Sequence, residues 1–201
     1  MAVSLQKGQK VDLTKGNAGL SKILVGLGWD AIPHNGGKGL LGSLLGSKAP
    51  DIDCDASVLM LDENGKLHGT ENLIYFGNLH SKDGSVNHTG DNLTGEGDGD
   101  DEVIMVELTK IPSRFSKLLF VVNIYDCIKR KQDFGMIRNA FIRVLNSSNK
   151  QELIRYNLSD NYSGKTALIV GEIYRHENEW KFAAIGEGTN DDSLRSIIQK
   201  Y

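Results

Sequence analysis

The chain has 201 residues, of which 39% are hydrophobic and 24% charged, a balance that suits one soluble globular domain and excludes disordered and fibrous classes. A net charge of −3 leaves no general basic field to draw in nucleic acid or an anionic membrane surface. No apolar run approaches the roughly 18–20 residues of a membrane span, and residues 1–10 lack a basic start followed by an apolar stretch. A cytoplasmic protein that is not itself a membrane protein is therefore expected. Two cysteines, Cys54 and Cys127, far apart, supply neither a disulfide framework nor a zinc-type cluster.

Short Val/Ile/Leu/Tyr/Phe runs between Gly, Asn and Asp clusters predict an all-β, two-sheet sandwich with a few short peripheral helices. In chain order the predicted strands are 22–27, 57–61, 73–76, 102–108, 117–125, 140–145, 153–156, 166–174 and 180–185. Asp62-Glu-Asn-Gly65 is a hairpin signal, because Asn-Gly accepts the positive φ that a tight turn requires. The Gly/Leu segment at 36–50 reads as a mobile insertion, its glycines opposing a helix while its leucines still seek burial. At the C-terminus, Thr189 or Asn190 is placed to cap a helix with Asp191 and Asp192 in its first turn and Leu194, Ile197, Ile198 and Tyr201 on one face. The whole of 1–201 is read as one domain.

A pattern also recurs. Ala56–Leu61, a turn and Glu71–Tyr75 are echoed by Ala140–Leu145, a turn and Gln151–Arg155. Asp91-Asn-Leu-Thr-Gly95 and Asp160-Asn-Tyr-Ser-Gly164 then each precede a strand. Duplicated β units packed face to face are one reading.

Two acidic segments carry the chemistry. Asp91 to Glu102 holds six carboxylates (Asp91, Glu96, Asp98, Asp100, Asp101, Glu102) and no basic residue, so the rest of the chain sums to +3. Such crowding opposes folding unless a cation neutralises it, and Gly95, Gly97 and Gly99 let the backbone wrap. Hard oxygen donors without Cys select Ca²⁺. A solvated acidic loop is the plainer alternative. Asp51, Asp53 and Asp55, two apart, would share one face of an extended segment. The EF-hand template fails there, since its sixth position is Ala56 rather than Gly. Asp126, ending a strand, is a further oxygen ligand or a turn residue. Substituting Asp98 or Asp100 by Asn is expected to weaken calcium binding and to leave the metal-free fold intact or slightly more stable.

Other motifs lack support. Gly26-Leu-Gly28 imitates a dinucleotide fingerprint, but Pro33 blocks the helix that would receive a pyrophosphate. The five histidines show no zinc-protease spacing and no nucleophile elbow, so structural or surface roles are expected for them. No cation stands beside the acidic cluster in sequence, which argues against catalysis on a bound metal.

The stretches VGLGWD (25–30), IDCDAS (52–57), GSVNHTGDNLTGEGDGDDE (84–102), KQDFGMIRNAFIRV (131–144) and EIYRHENEWKFAAIGEG (172–188) together resemble the TerD-type tellurium-resistance and stress-response family across almost the whole chain. The resemblance implies a calcium-binding β-sandwich without enzymatic mechanism. Its partners would be other tellurium-resistance-type proteins, at a membrane-associated complex, and not nucleic acid. By position it implies Asp53, Asp55, Asp91, Asn92, Glu96, Asp98, Asp100 and Asp101 as Ca²⁺ ligands. The rival reading is a metal-dependent hydrolase or a nucleotide-binding protein. Leu93 and Tyr125 depart from the family pattern, which usually has a basic residue and a histidine there.

Overall fold

The computed structural model describes residues 2–32, 52–90 and 99–201. The Gly/Leu insertion lies outside them, as do Asp91, Asn92, Glu96 and Asp98 of the acidic segment.

Twelve strands form two six-stranded sheets. One sheet, A, contains β1 (Val3–Leu5), β3 (Lys22–Ala31), β6 (Val86–His88), β7 (Glu102–Glu107), β9 (Ile137–Asn146) and β10 (Glu152–Asn157), in the order β1-β10-β9-β3-β7-β6. The other, B, contains β2 (Lys10–Asp12), β4 (Cys54–Leu61), β5 (Leu73–Ile74), β8 (Lys117–Ile124), β11 (Ala167–His176) and β12 (Glu179–Thr189), ordered β2-β12-β11-β8-β4-β5. Two short helices, α1 (Cys127–Arg130) and α2 (Leu194–Ile198), complete the described elements with two single 3₁₀ turns. The predicted sandwich is the observed architecture.

Alternation decides which face each strand buries. Ile23, Val25 and Leu27 of β3, with Ile104 and Val106 of β7, meet Cys54, Ala56 and Val58 of β4 and Phe120 and Val122 of β8 in the central core. Residues of opposite parity in sheet B, including Leu59, Leu61, Leu119, Val121 and Ile169, form a second cluster on its outer face with Ile197 of α2. β8 is thus covered on both faces, which explains its nearly unbroken apolar run, LLFVV.

All nine predicted strands are present, six of them one to five residues longer than predicted and three, β5, β7 and β8, one or two residues shorter. Three strands were not predicted: β1, β2 and β6 are three residues each, too short for alternation to register, and β1 and β2 hold their places at sheet edges by pairing with β10 and β12. The Asp62–Gly65 turn forms as expected, with Gly65 at φ 73 and its N–H donating to Asp62 O at 3.1 Å.

The C-terminal helix exists, but its cap is Ser193, whose Oγ accepts from Ser196 N at 3.3 Å. Thr189 stays in β12 opposite Ala167, and the Asp191 backbone carbonyl accepts from Thr166 Oγ1 at 2.6 Å. Asp191 therefore fastens a strand end instead of opening the helix.

The sequence echo corresponds to structure over three elements: β4–β5 and β9–β10 are each antiparallel neighbours in one sheet, and the strand that follows the Asp-Asn motif in sequence, β7 or β11, lies in the opposite sheet. The strand ahead of each hairpin extends the match: β3 precedes β4 and pairs with β9 and β7, as β8 precedes β9 and pairs with β4 and β11, so β5-β4-β8-β11 in one sheet and β10-β9-β3-β7 in the other run in the same order with every neighbour antiparallel. Equivalent strand order of this kind is what duplicated β units packed face to face predict. Asp160–Gly164 does form an Asx turn, with Ser163 N donating to Asn161 Oδ1 at 3.0 Å and Gly164 at φ 76.

Candidate functional site

The described parts of the two acidic segments, 52–55 and 99–102, lie at the same end of the sandwich, where β4 and β7 begin and β3 and β8 finish. At their junction Glu102, 4% exposed, points into the core. Its Oε2 accepts from Ala56 N at 2.7 Å, joining the first residue of a sheet A strand to β4 of sheet B. His88 Nε2 stands 3.3 Å from the same oxygen, at ion-pair distance though without hydrogen-bond alignment, while His88 Nδ1 accepts from Gly90 N at 3.1 Å. Burial works to lower the His88 pKa, but the facing Glu102 carboxylate outweighs it and the net direction is upward from 6.5. A raised histidine pKa stabilises the fold fully below the unfolded value and loses that contribution as pH climbs through the folded one. Stability measured in urea should therefore fall between about pH 6.5 and the raised pKa in the wild type, and that slope should flatten in His88→Gln.

The pleat sends the flanking acids to opposite faces. Asp55 shares parity with Leu59 and Leu61 and so belongs to the outer side of sheet B. Opposite it in register is Asn123, 5% exposed, whose buried Oδ1 finds no hydrogen-bond donor among the described residues. Asp53 lies just before β4; its carbonyl accepts from Tyr125 N at 2.7 Å, and its carboxylate lies 3.5 Å from Arg130 Nη1.

Asp100 and Asp101 lie against the outer side of sheet A. Asp101 N donates to Leu27 O at 2.8 Å, and Asp101 Oδ2 accepts from Trp29 N at 2.7 Å. Burial, opposed by that hydrogen bond and reinforced by Asp30, Asp100 and Glu102, lifts the Asp101 pKa. Asp100 receives both Nε (2.7 Å) and Nη2 (3.0 Å) of Arg143 in a bidentate pair. Gly26 is required beneath it, since a Cβ there would sit 2.2 Å from the Asp100 carboxyl carbon. At Gly28 a Cβ would meet the Phe141 ring at 2.5 Å. The glycines of the false dinucleotide fingerprint thus let a loop and an aromatic ring lie flat on β3. Trp29, Asp30, Asp101, Asn139, Phe141 and Arg155 line an open cleft of about 480 Å³ beside them.

Of the eight residues assigned from sequence, the described four fall into two pairs on opposite faces, Asp53 with Asp55 and Asp100 with Asp101. Among the described residues no three His, Cys, Asp or Glu side chains cluster as a complete metal cage. The donor chemistry fits a hard cation in part: carboxylates at both faces and the orphaned amide oxygen of Asn123 are oxygen ligands of the kind calcium takes. Asp100 is engaged elsewhere, which revises the expectation for its substitution. Asp100→Asn in chelator is now expected to cost about 1–3 kcal/mol in urea denaturation, through loss of a charge-assisted pair on a nearly buried carboxylate. Asp126 takes a left-handed backbone, φ 53, ahead of α1 and lies 3.6 Å from Lys129, as a turn residue does.

Sequence reasoning counted Glu102 among the acidic-segment carboxylates without its buried role, and it missed His88, Asn123 and Asp30 as members of this end, and the cations. Arg143 and Arg130 come from other strands and turns, so only the fold brings them to the acids. Both cysteines are free and buried; burial, then Asp55, Asp53, Glu102 and Asp101, pushes the Cys54 thiol well up, so it stays protonated.

A model of the TerD domain matches residues 1–201. The chain is 65% identical over 201 residues to stress response protein SCP2 of Bacillus subtilis (strain 168), covering all of both chains. It is 47% identical to the tellurium resistance protein TerD of Serratia marcescens, covering all of this chain and 97% of that one. The fold is shared with SAV2460, a crystal structure of unknown function (TM-score 0.64, 24% identity, 88% of this chain and 94% of that chain). It is likewise shared with SCO6318 of Streptomyces coelicolor A3(2), described as a homologue of telluride resistance protein (TerD) (TM-score 0.62, 22% identity, 88% and 95%). With a family model spanning its full length and relatives this similar along the whole of it, the chain belongs to the TerD domain family of tellurium-resistance and general stress proteins.

Proposed function

We propose that the protein is a calcium-binding, noncatalytic interaction module of a bacterial chemical-stress response, acting in the cytoplasm with other tellurium-resistance-type proteins. The observation that carries this reading is the oxygen-rich end of the sandwich. Asp53, Asp55 and the orphaned Asn123 Oδ1 stand on one face, Asp30 and Asp101 on the other, and the buried Glu102 between them. Ca²⁺ would supply the missing positive charge there and order the segments that carry it, a population shift toward one conformer.

The hydrolase reading needs an anchoring cation free to hold an anionic substrate. Arg143 spends its guanidinium on Asp100 and Glu152, which favours the binding module. Calorimetric titration of the metal-free protein decides the matter. Heat of binding with Ca²⁺, and much weaker heat with Mg²⁺, is the expected outcome. A response to Mg²⁺ alone favours the metal enzyme, and none to either ion removes the calcium reading.

A further inference from the structure

At the acidic end one feature has a different chemistry from its surroundings. After β8 the chain makes a single projecting turn, Tyr125 to Lys131, bracketed by two left-handed residues, Asp126 and Lys131, each at φ 53. At its crest Ile128 is 68% exposed, the most exposed large hydrophobic among the described residues, and Tyr125 is 49% exposed beside it. Neither side chain is needed by the core, which this turn reaches through Cys127. Ile128 is followed directly by Lys129, Arg130 and Lys131. An apolar crest, an interfacial aromatic and three adjacent cations on a convex turn form a surface matched to an anionic lipid interface. There an isolated aliphatic side chain is buried without a preformed pocket and each cation meets lipid headgroups.

The cations are not all available as the protein stands. Arg130 lies 3.5 Å from Asp53 and 5.2 Å from the centre of the Tyr125 ring, and Lys129 lies 3.6 Å from Asp126. The neighbouring carboxylates would also repel an anionic surface at this range, well inside a Debye length of about 8 Å at physiological salt. An ion taken by Asp53 removes that repulsion and the partner of Arg130 together. We propose that the Tyr125–Lys131 turn is a docking tip for anionic phospholipid membranes, and that Ca²⁺ at the adjacent acidic end unmasks it. The proposal rests on the calcium reading above and names the surface that the ion would expose.

The test is sedimentation of the full chain with phosphatidylcholine vesicles, with and without phosphatidylglycerol, in Ca²⁺ or in chelator, alongside a thermal melt of each variant. The protein is expected to pellet only with phosphatidylglycerol and Ca²⁺ together. Lys129→Ala and Lys131→Ala should each weaken partition about fivefold, the loss of one cation at an anionic surface. Ile128→Glu should abolish pelleting while keeping the wild-type melting response to Ca²⁺. If Ile128→Glu still pellets, calcium bridging between the acids and lipid accounts for the binding and the tip has no part in it. Equal pelleting in chelator overturns the calcium gate. A calcium-dependent melt with no pelleting overturns lipid docking alone, as does pelleting replaced by capture on an acidic polypeptide; loss of the melting response in the wild type overturns the calcium reading on which it stands.

Discussion

Removing residues 194–201 is expected to unfold the protein at physiological temperature or leave it with exposed apolar surface that binds a hydrophobic dye. α2 is only five residues long, yet it closes the outer face of sheet B over Leu59, Leu61, Leu119 and Val121, all 3% exposed or less. Leu194, Ile198 and Tyr201 pack on that cluster around the buried Ile197, and Tyr201 O accepts from Leu67 N at 3.0 Å, pinning the end of the chain to the turn after β4. Ile197→Ala alone should cost about 2–4 kcal/mol by creating a cavity over a sheet face held by β4, β8 and β11. Urea denaturation measures this directly. A loss below about 1 kcal/mol, the scale of ordinary surface substitutions, would show that the helix is a loose cover and not part of the fold.

Saturating Ca²⁺ is expected to raise the melting temperature of the metal-free protein by about 5–10 °C. At an ion concentration 100 times the dissociation constant, linkage contributes about 2.7 kcal/mol, and in a chain of this length each kcal/mol shifts the midpoint by roughly 2–4 °C. The gain arises because the acidic end exists as a set of placed oxygens only in the folded state. Scanning calorimetry in chelator and in excess Ca²⁺ reads it, and coincident midpoints would exclude calcium as a folding ligand. Asp55→Asn should shrink the shift, since Asp55 stands opposite a buried amide oxygen, Asn123 Oδ1, that meets no donor among the described residues.

Periodicity in the sequence made the sandwich legible, because most strands are long enough for alternation to show and one, β8, is buried on both faces and reads as a continuous run. β1, β2 and β6 were invisible because three residues carry no period; their pairing partners hold them. The helix cap was misplaced because Thr189 has a competing role in β12, a tertiary demand that local capping preference cannot express. At the acidic end, composition and the family resemblance marked the carboxylates, and the period of two put Asp53 and Asp55 on one face. Nothing local could tell that Asp100 would meet Arg143, 43 residues away, or that Asn123 would be buried beside Asp55. Those relations are set by which strands become neighbours, and the central strand of each hairpin, β4 or β9, takes a neighbour from the other half of the chain, β8 or β3, which no local pattern expresses.

The buried Glu102 carboxylate acts as a crossbar. It touches the amide next to Asp55 in one sheet, and its own chain neighbour is Asp101 in the other. Displacing either acidic pair pulls on the same bond, so the two faces are mechanically in series although they point away from each other. By thermodynamic reciprocity, whatever occupancy on one face does to affinity on the other, the second does equally to the first. Were each face to hold an ion, the two would be expected to titrate as a coupled pair, and Glu102→Gln, which weakens the crossbar, to let them titrate independently.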